Sequence, residues 1–184
     1  LQPEDLTVAE LLKSAGYRTG LVGKWGLGEA GSTGSPIRQG FDEFFGYFNQ
    51  RHAHNYYPTH LWRNEEKFPL RNEVPMEDSE GAGVATLRRE YSHDLIAREA
   101  LDFVDRHRHQ PFFLYLALTI PHANNEAKAM GMEVPSDEPY THEPWPESEK
   151  NKAAMVTRLD ADIGKLLNKL KELQIDEKTV VFFS

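Results

Sequence analysis

Three times along the chain, a helix-spaced apolar pattern gives way to a short apolar run. In the first unit, Thr7-Val8-Ala9-Glu10 has the form of a capping box, with Leu6 and Leu11 placed as a hydrophobic staple. Gly16 stands where that helix should stop, and a strand is expected over 17–22. In the second unit, Ile96, Ala100, Phe103, Val104 and His107 recur at helical spacing across 92–108, with Ser92 as N-cap and Pro111 as breaker. The run FFLYLAL at 112–118 then reads as a strand buried on both faces. The third unit is a helix over 150–173, striped by Val156, Leu159, Ile163, Leu166, Leu167 and Leu170, followed by a buried strand TVVFF at 179–183. Helices alternating with strands predict an α/β fold: a mostly parallel sheet flanked by helices.

Two long polar segments, 28–91 and 123–149, separate these units and are rich in Pro, Gly, His and aromatic residues. They read as functional loops or small edge hairpins. The 184 residues suffice for one domain, 1–184, with a real core.

Charge narrows the partners. With 21 basic and 29 acidic side chains the formal net charge is -8, which argues against nucleic acid, since a phosphate backbone needs a basic footprint. A small anionic substrate stays open, because one Lys in a pocket can dominate locally. The chain has no cysteine, so a disulfide scaffold and a thiolate metal site are excluded within it. No apolar run approaches the roughly 18–20 residues of a membrane span.

The chemistry concentrates at strand ends. Gly23-Lys24-Trp25-Gly26-Leu27-Gly28 follows the first strand, and ligands of open α/β sheets bind at that edge. The glycines let backbone approach a ligand closely, and a lone Lys is a compact point charge suited to sulfate or phosphate. Without that setting, Lys24 reads as a solvated surface lysine. His122, after Pro121, follows the second strand at the same kind of edge. It either packs against aromatics or binds an anion and gives a proton to a leaving group. In 50–58, His52 and His54 at i and i+2 would share one face of an extended segment. With Asn55 they read as a substrate-pocket wall or as a structural aromatic loop. A metal site is not assigned, because no carboxylate or third His stands at ligand spacing. Asp42 reads as a turn acceptor, and Asp160 and Asp162 as solvent-facing helix residues. No paired-carboxylate site, Ser-His-Asp arrangement or phosphate loop is evident.

In order and spacing, these pieces resemble the type I sulfatases, the family that includes the arylsulfatases. The resemblance rests on Thr7 to Leu12 leading into Ala15-Gly16-Tyr17-Arg18-Thr19, on Gly23-Lys24-Trp25 and on Gly40-Phe41-Asp42. It continues through Pro111 to Leu116 with Pro121-His122, then Leu159-Asp160 and Val180 to Ser184. It implies an alkaline-phosphatase-like α/β sandwich, a calcium ion, and a formylglycine nucleophile made from a Cys or Ser in a Cys-x-Pro-x-Arg signature. The signature and the Asp and Asn metal ligands would fall outside 1–184. The chain is therefore expected to be a partial catalytic domain truncated at both ends, inactive alone and prone to self-association through exposed sheet edges. Secretion or periplasmic export follows by family habit.

By carry-over, Lys24 contacts the sulfate and the formylglycine. His122 binds the sulfate ester and is a candidate proton donor to the leaving oxygen. The substrate would be a small-molecule or glycan sulfate ester. The alternatives are a phosphodiesterase or phosphonate hydrolase of the same superfamily, or a non-catalytic relative that binds sulfated glycans. One position departs from the common Gly-Lys-Trp-His-Leu-Gly, with Gly26 in place of a His thought to deprotonate the formylglycine hydroxyl. The reading adopted is that His54 or His52 reaches the site instead. The Gly26 form, together with Ala53 to Pro58, looks like a bacterial branch of the family.

Overall fold

The computed structural model describes residues 1–184, and its sheet is built around β1 (Arg18–Lys24). β2 (Glu43–Tyr47) and β5 (Phe112–Ala117) pair with β1 in parallel, one on each edge. A hairpin of β3 (His60–Arg63) and β4 (Glu66–Pro69) continues from β2 in antiparallel fashion, giving the order β4-β3-β2-β1-β5. Parallel neighbours need long crossovers, whereas the hairpin closes on Asn64 and Glu65 alone, with Asn64 in the left-handed region (φ 53°) that Asn tolerates. The expected edge hairpin is present, and the sheet is α/β with a parallel centre and an antiparallel flank.

Alternation along β1 divides the core. Leu21 joins Ala9, Phe41, Phe44 and Phe48 on the side of α1 (Val8–Ser14), and Val22 joins Phe45, Tyr47, Ile96 and Ala100 under α2 (Ser92–His107). The capping box forms as read: Glu10 N donates to Thr7 Oγ1 at 3.2 Å and Thr7 N to Glu10 Oε2 at 2.8 Å. The staple residues Leu6 and Leu11 remain 70% and 53% exposed. The three central strands approach closely at two glycines. A Cβ on Gly23 (φ +122°) would lie 2.0 Å from the Ala117 carbonyl oxygen, and one on Gly46 (φ +149°) 1.9 Å from that of Gly23.

α3 (Glu147–Glu172) packs on α2 and is joined to it by polar bridges. Arg158 donates to both Asp94 oxygens at 2.7 Å. His93, fully buried, meets Asp162 at 3.0 Å, so Asp162 is an inter-helix partner and not the solvent-facing acid the stripe suggested. No helix is long and apolar enough to cross a membrane.

Four local expectations are corrected. EFFGY, inside the 28–91 segment read as loops or edge hairpins, enters the sheet as the parallel strand β2. Only Gly40 to Asp42 turn, where Asp42 accepts from Thr19 N at 3.0 Å and Lys13 Nζ at 2.8 Å. Ser92 is the first residue of α2, and Tyr91 takes the cap position. β5 is only half covered, with Tyr115 48% exposed, because it is the outermost strand and has a partner on one edge alone. TVVFF forms no strand: Val180 and Phe182 are 78% and 93% exposed. An apolar run states a preference for burial, but a strand also needs a ladder partner. Both edges of β1 are filled by β2 and β5, and the run does not join the open outer edge of β5.

Candidate functional site

The parallel register sends the three central strands out at one edge. Gly23 pairs with both Gly46 and Ala117, so Lys24, Tyr47 and Leu118 leave the sheet side by side, on strands about 5 Å apart. Lys24 closes β1, half-buried, and its ammonium has no hydrogen bond or ion pair within the chain. A cation left free at the carboxyl end of a strand is poised for an external anion.

His122 stands on the loop after β5, exposed. Its Nδ1 lies 2.7 Å from the Ala123 carbonyl oxygen, which can only accept, so Nδ1 carries the proton and Nε2 is the atom left for a ligand. The loop itself is held from below. The Tyr56 hydroxyl, fully buried, is directed at the His122 carbonyl (2.7 Å) and the Thr119 carbonyl (3.2 Å).

The loop leaving β2 supplies the next group. Residues 52–54 coil into a single turn of 3-10 helix (His52–His54), so the two imidazoles do not share one face. His54 stacks on His122, with ring centroids 5.2 Å apart and planes 10° from parallel. Its Nδ1 is 3.1 Å from Glu126 Oε2, and because an ionised carboxylate only accepts, Nδ1–H points at Glu126 and Nε2 is the nitrogen left without a partner. Glu126 also lies 3.6 Å from Arg51 Nη2. Its backbone N–H donates to the Asn124 side chain at 3.1 Å. Asn124 is itself fully buried and donates to Gly83 O at 3.0 Å and Glu133 Oε2 at 2.9 Å. Burial pushes the Glu133 carboxyl above the usual carboxylate range, against the pull of Asn124 and Arg88.

Of the residues singled out from the sequence, the structure stacks His54 on His122, on the loops that follow β2 and β5, and sets Lys24 at the end of β1 between those strands. It removes the other two from solvent. Asn55 is 0% exposed and accepts from Tyr57 N at 2.8 Å, and His52 is 2% exposed against Tyr47. Both side chains are occupied inside the chain, which favours the structural-loop reading of this segment over the pocket-wall one. His52 instead faces His60 and Glu77, the further imidazole and carboxylate that its sequence neighbourhood did not offer. Burial, then the neighbouring His60, push the His52 imidazole down to about 3. Glu126 and Asn124 were missed. The Asn-Asn-Glu at 124–126 has the form of a helix-capping start, but a sequence separation of 72 between His54 and Glu126 hides the pairing.

Gly26 has a structural partner. It sits at φ +84°, and a Cβ there would lie 2.8 Å from Cγ of Gln50. The Gln50 side chain fills the space that a larger residue at 26 would need.

The family model for sulfatases matches residues 1–184. Human (Homo sapiens) N-acetylgalactosamine-6-sulfatase is 33% identical over 188 residues, covering 95% of this chain and 31% of that protein. An arylsulfatase of Hemicentrotus pulcherrimus is 32% identical over 196 residues, covering 100% and 31%. Among solved structures, that of Ps i-CgsB in complex with k-i-k-neocarrahexaose superposes with a TM-score of 0.66 at 25% identity, covering 94% of this chain and 38% of that one. The chain spans about a third of the length of the curated relatives it matches.

Proposed function

The chain belongs to the sulfatase family, and from that premise we propose that the protein carrying it hydrolyses sulfate esters to an alcohol and inorganic sulfate. In this reading Lys24, His122 and His54 are its contribution to the active site. The observation that carries the proposal is the partner-free Lys24 ammonium at the carboxyl end of β1, with the stacked His54 and His122 on the loops that follow the adjoining parallel strands β2 and β5.

Sulfuryl transfer spreads negative charge over the nonbridging oxygens, so fixed cations and donors around that charge supply most of the catalysis. Lys24 sits on such an oxygen as a point charge. His122, held through Nδ1, presents Nε2. When protonated it donates that proton to the ester oxygen as the sulfur–oxygen bond breaks, and the alcohol leaves neutral. His54 is oriented by Glu126 with its Nε2 lone pair free, which makes it the base that takes a proton in the later step that releases sulfate. The pair of Glu126 and His54 follows the orienter-and-base logic of hydrolytic triads. It stands in for the His that many relatives carry where this chain has Gly26.

The family's calcium ion takes oxygen ligands, and the Lys24–His122 edge gathers no carboxylate cluster to hold one. No residue of this chain is therefore assigned to calcium and no step is routed through it. The chain likewise has no cysteine and no Ser-x-Pro-x-Arg, so the formylglycine is not assigned to any of these residues. The relatives named for N-acetylgalactosamine-6-sulfate, and the neighbour bound to a neocarrahexaose, favour a sulfated glycan as substrate.

The test is sulfate release by the full-length protein from 6-sulfated N-acetylgalactosamine, carrageenan oligosaccharides and an aryl sulfate. Lys24→Ala and His122→Ala should each lower kcat by about 10²- to 10⁴-fold. His54→Ala should lower it while leaving KM nearly unchanged. Undiminished turnover in the Lys24 and His122 variants would overturn the assignment.

A further inference from the structure

The loop that carries His54 has a second side, and it faces a polar cleft of about 460 Å³. His52, His60 and Glu77 meet there, each offering one ligand atom, and the three atoms lie within 4.8 Å of one another. Two further facts single this cluster out. His52 Nε2 is buried with no hydrogen-bond partner, although the residue is only 2% exposed. An imidazole nitrogen left unsatisfied in the interior is costly unless something absent from the chain itself completes it. Glu77 has no Lys, Arg or His within ion-pair distance, whereas its neighbours Asp78 and Glu80 are both taken by Arg51, at 2.7 and 3.0 Å.

A single hydroxyl orients the other two members. Thr59 Oγ1 donates its one proton to Glu77 Oε1 at 2.7 Å, so toward His60 Nδ1, 3.1 Å away, it can only accept. His60 therefore carries its proton on Nδ1 and keeps a lone pair on Nε2. Orientation of both an imidazole and a carboxylate by one outer group is the arrangement that metal ligands receive from their supporting residues.

We propose that His52, His60 and Glu77 bind a divalent transition metal of the zinc class, with the remaining coordination position open to the cleft. Two imidazoles and one carboxylate are a donor set for zinc, and three protein ligands leave a fourth position for water. The same set is a poor one for calcium or magnesium, which take oxygen. Coordination at about 2.0–2.2 Å requires the three atoms to close up from their present spacing. Glu77 lies on a loop outside any helix or strand and can supply that movement. The surrounding charge favours a cation: Glu29, Glu77, Asp78 and Glu80 line the cleft, against Lys67 and the Arg51 that pairs with Asp78 and Glu80. A bound ion would tie the 77–81 loop to the turn at 52–54, and so stiffen the segment from which His54 reaches the sheet edge. The proposal is independent of the sulfate-ester reading.

The experiment uses full-length protein stripped with a chelator and titrated with Zn²⁺ against a competing chromophoric chelator, with Co²⁺ as a second probe. Wild type should bind one Zn²⁺ more than Glu77→Gln or His60→Ala, each of which should lose more than about 100-fold in affinity at that site. The Co²⁺ form of wild type should show the strong visible bands of a low-coordinate site, and these should vanish in the variants. Added Zn²⁺ should raise the melting temperature of wild type and not of Glu77→Gln. Since Glu77→Gln changes one loop side chain by a single atom, a well-folded variant by circular dichroism keeps the comparison valid. Equal zinc stoichiometry and affinity in wild type and both variants, or no zinc bound by wild type, would overturn the proposal.

Discussion

Gly20 and Phe103 set the position of the strand that delivers Lys24, and their coupling can be measured. Phe103 on α2 is 0% exposed, with its ring 4.6 Å from that of His107 and 6.0 Å from that of Phe112, edge-on to both. A Cβ on Gly20 would lie 2.3 Å from Phe103 Cε2, more than an ångström inside ordinary contact. Gly20 has no positive φ, so the whole penalty of Gly20→Ala is steric. Overpacking of this kind costs about 1–3 kcal/mol, and a ring with no free volume behind it puts the expectation near 3. Phe103→Ala should cost about 3–5 kcal/mol through lost burial and the cavity left behind. In the double variant the new methyl enters the space the ring vacates. The two costs should then fall short of their sum by at least about 1 kcal/mol, within the range found for residues in contact. Urea midpoints of wild type, both single variants and the double variant give the cycle. Additivity within about 0.5 kcal/mol would show that the strand and the ring do not compete for this volume, and the account of why β1 carries glycine there would fail.

Two further predictions follow from named contacts. Gly26→His should not raise turnover: the left-handed backbone costs about 1–2 kcal/mol and Gln50 already occupies the space. A sulfate-release assay showing faster turnover for Gly26→His than for wild type would refute this. Glu99 concerns pH. Its burial raises the carboxyl, but hydrogen bonds from Arg63 (2.7 and 3.1 Å) and Arg106 (2.8 Å) outweigh that and hold it below its ordinary 4.5. A depressed carboxylate stabilises above the unfolded value and loses that stabilisation as pH falls through the folded one. Wild type should therefore exceed Glu99→Gln by about 1.5–3 kcal/mol at pH 7, and in urea unfolding the gap should close as pH falls below 4.5 and through the lower folded-state value. A gap independent of pH would refute the assignment.

Local patterns determined much of this protein. The capping box at Thr7, the helical spacing of Ile96, Ala100 and Phe103, and the uninterrupted run at 112–118 each depend on neighbours in sequence, and each forms the element expected of it, although the strand from the last is only half covered. The sheet-edge placement of Lys24 and His122 was legible for the same reason. A residue just after a strand goes to the end of that strand whatever surrounds it.

What depends on partners distant in sequence was decided by the tertiary structure. The two imidazoles of 52–54 do not share a face because the segment coils instead of extending. One is then completed by Glu126 and the other set beside His60 and Glu77, none of which periodicity can connect to it. The run at 179–183 has the composition of a strand and no ladder partner. Asp162, on a helix face that looked solvated, is claimed by a His on another helix. Hydrophobic spacing reports which side of an element prefers to be buried. Which group lies across from it, and at what distance, is fixed only once the elements have packed.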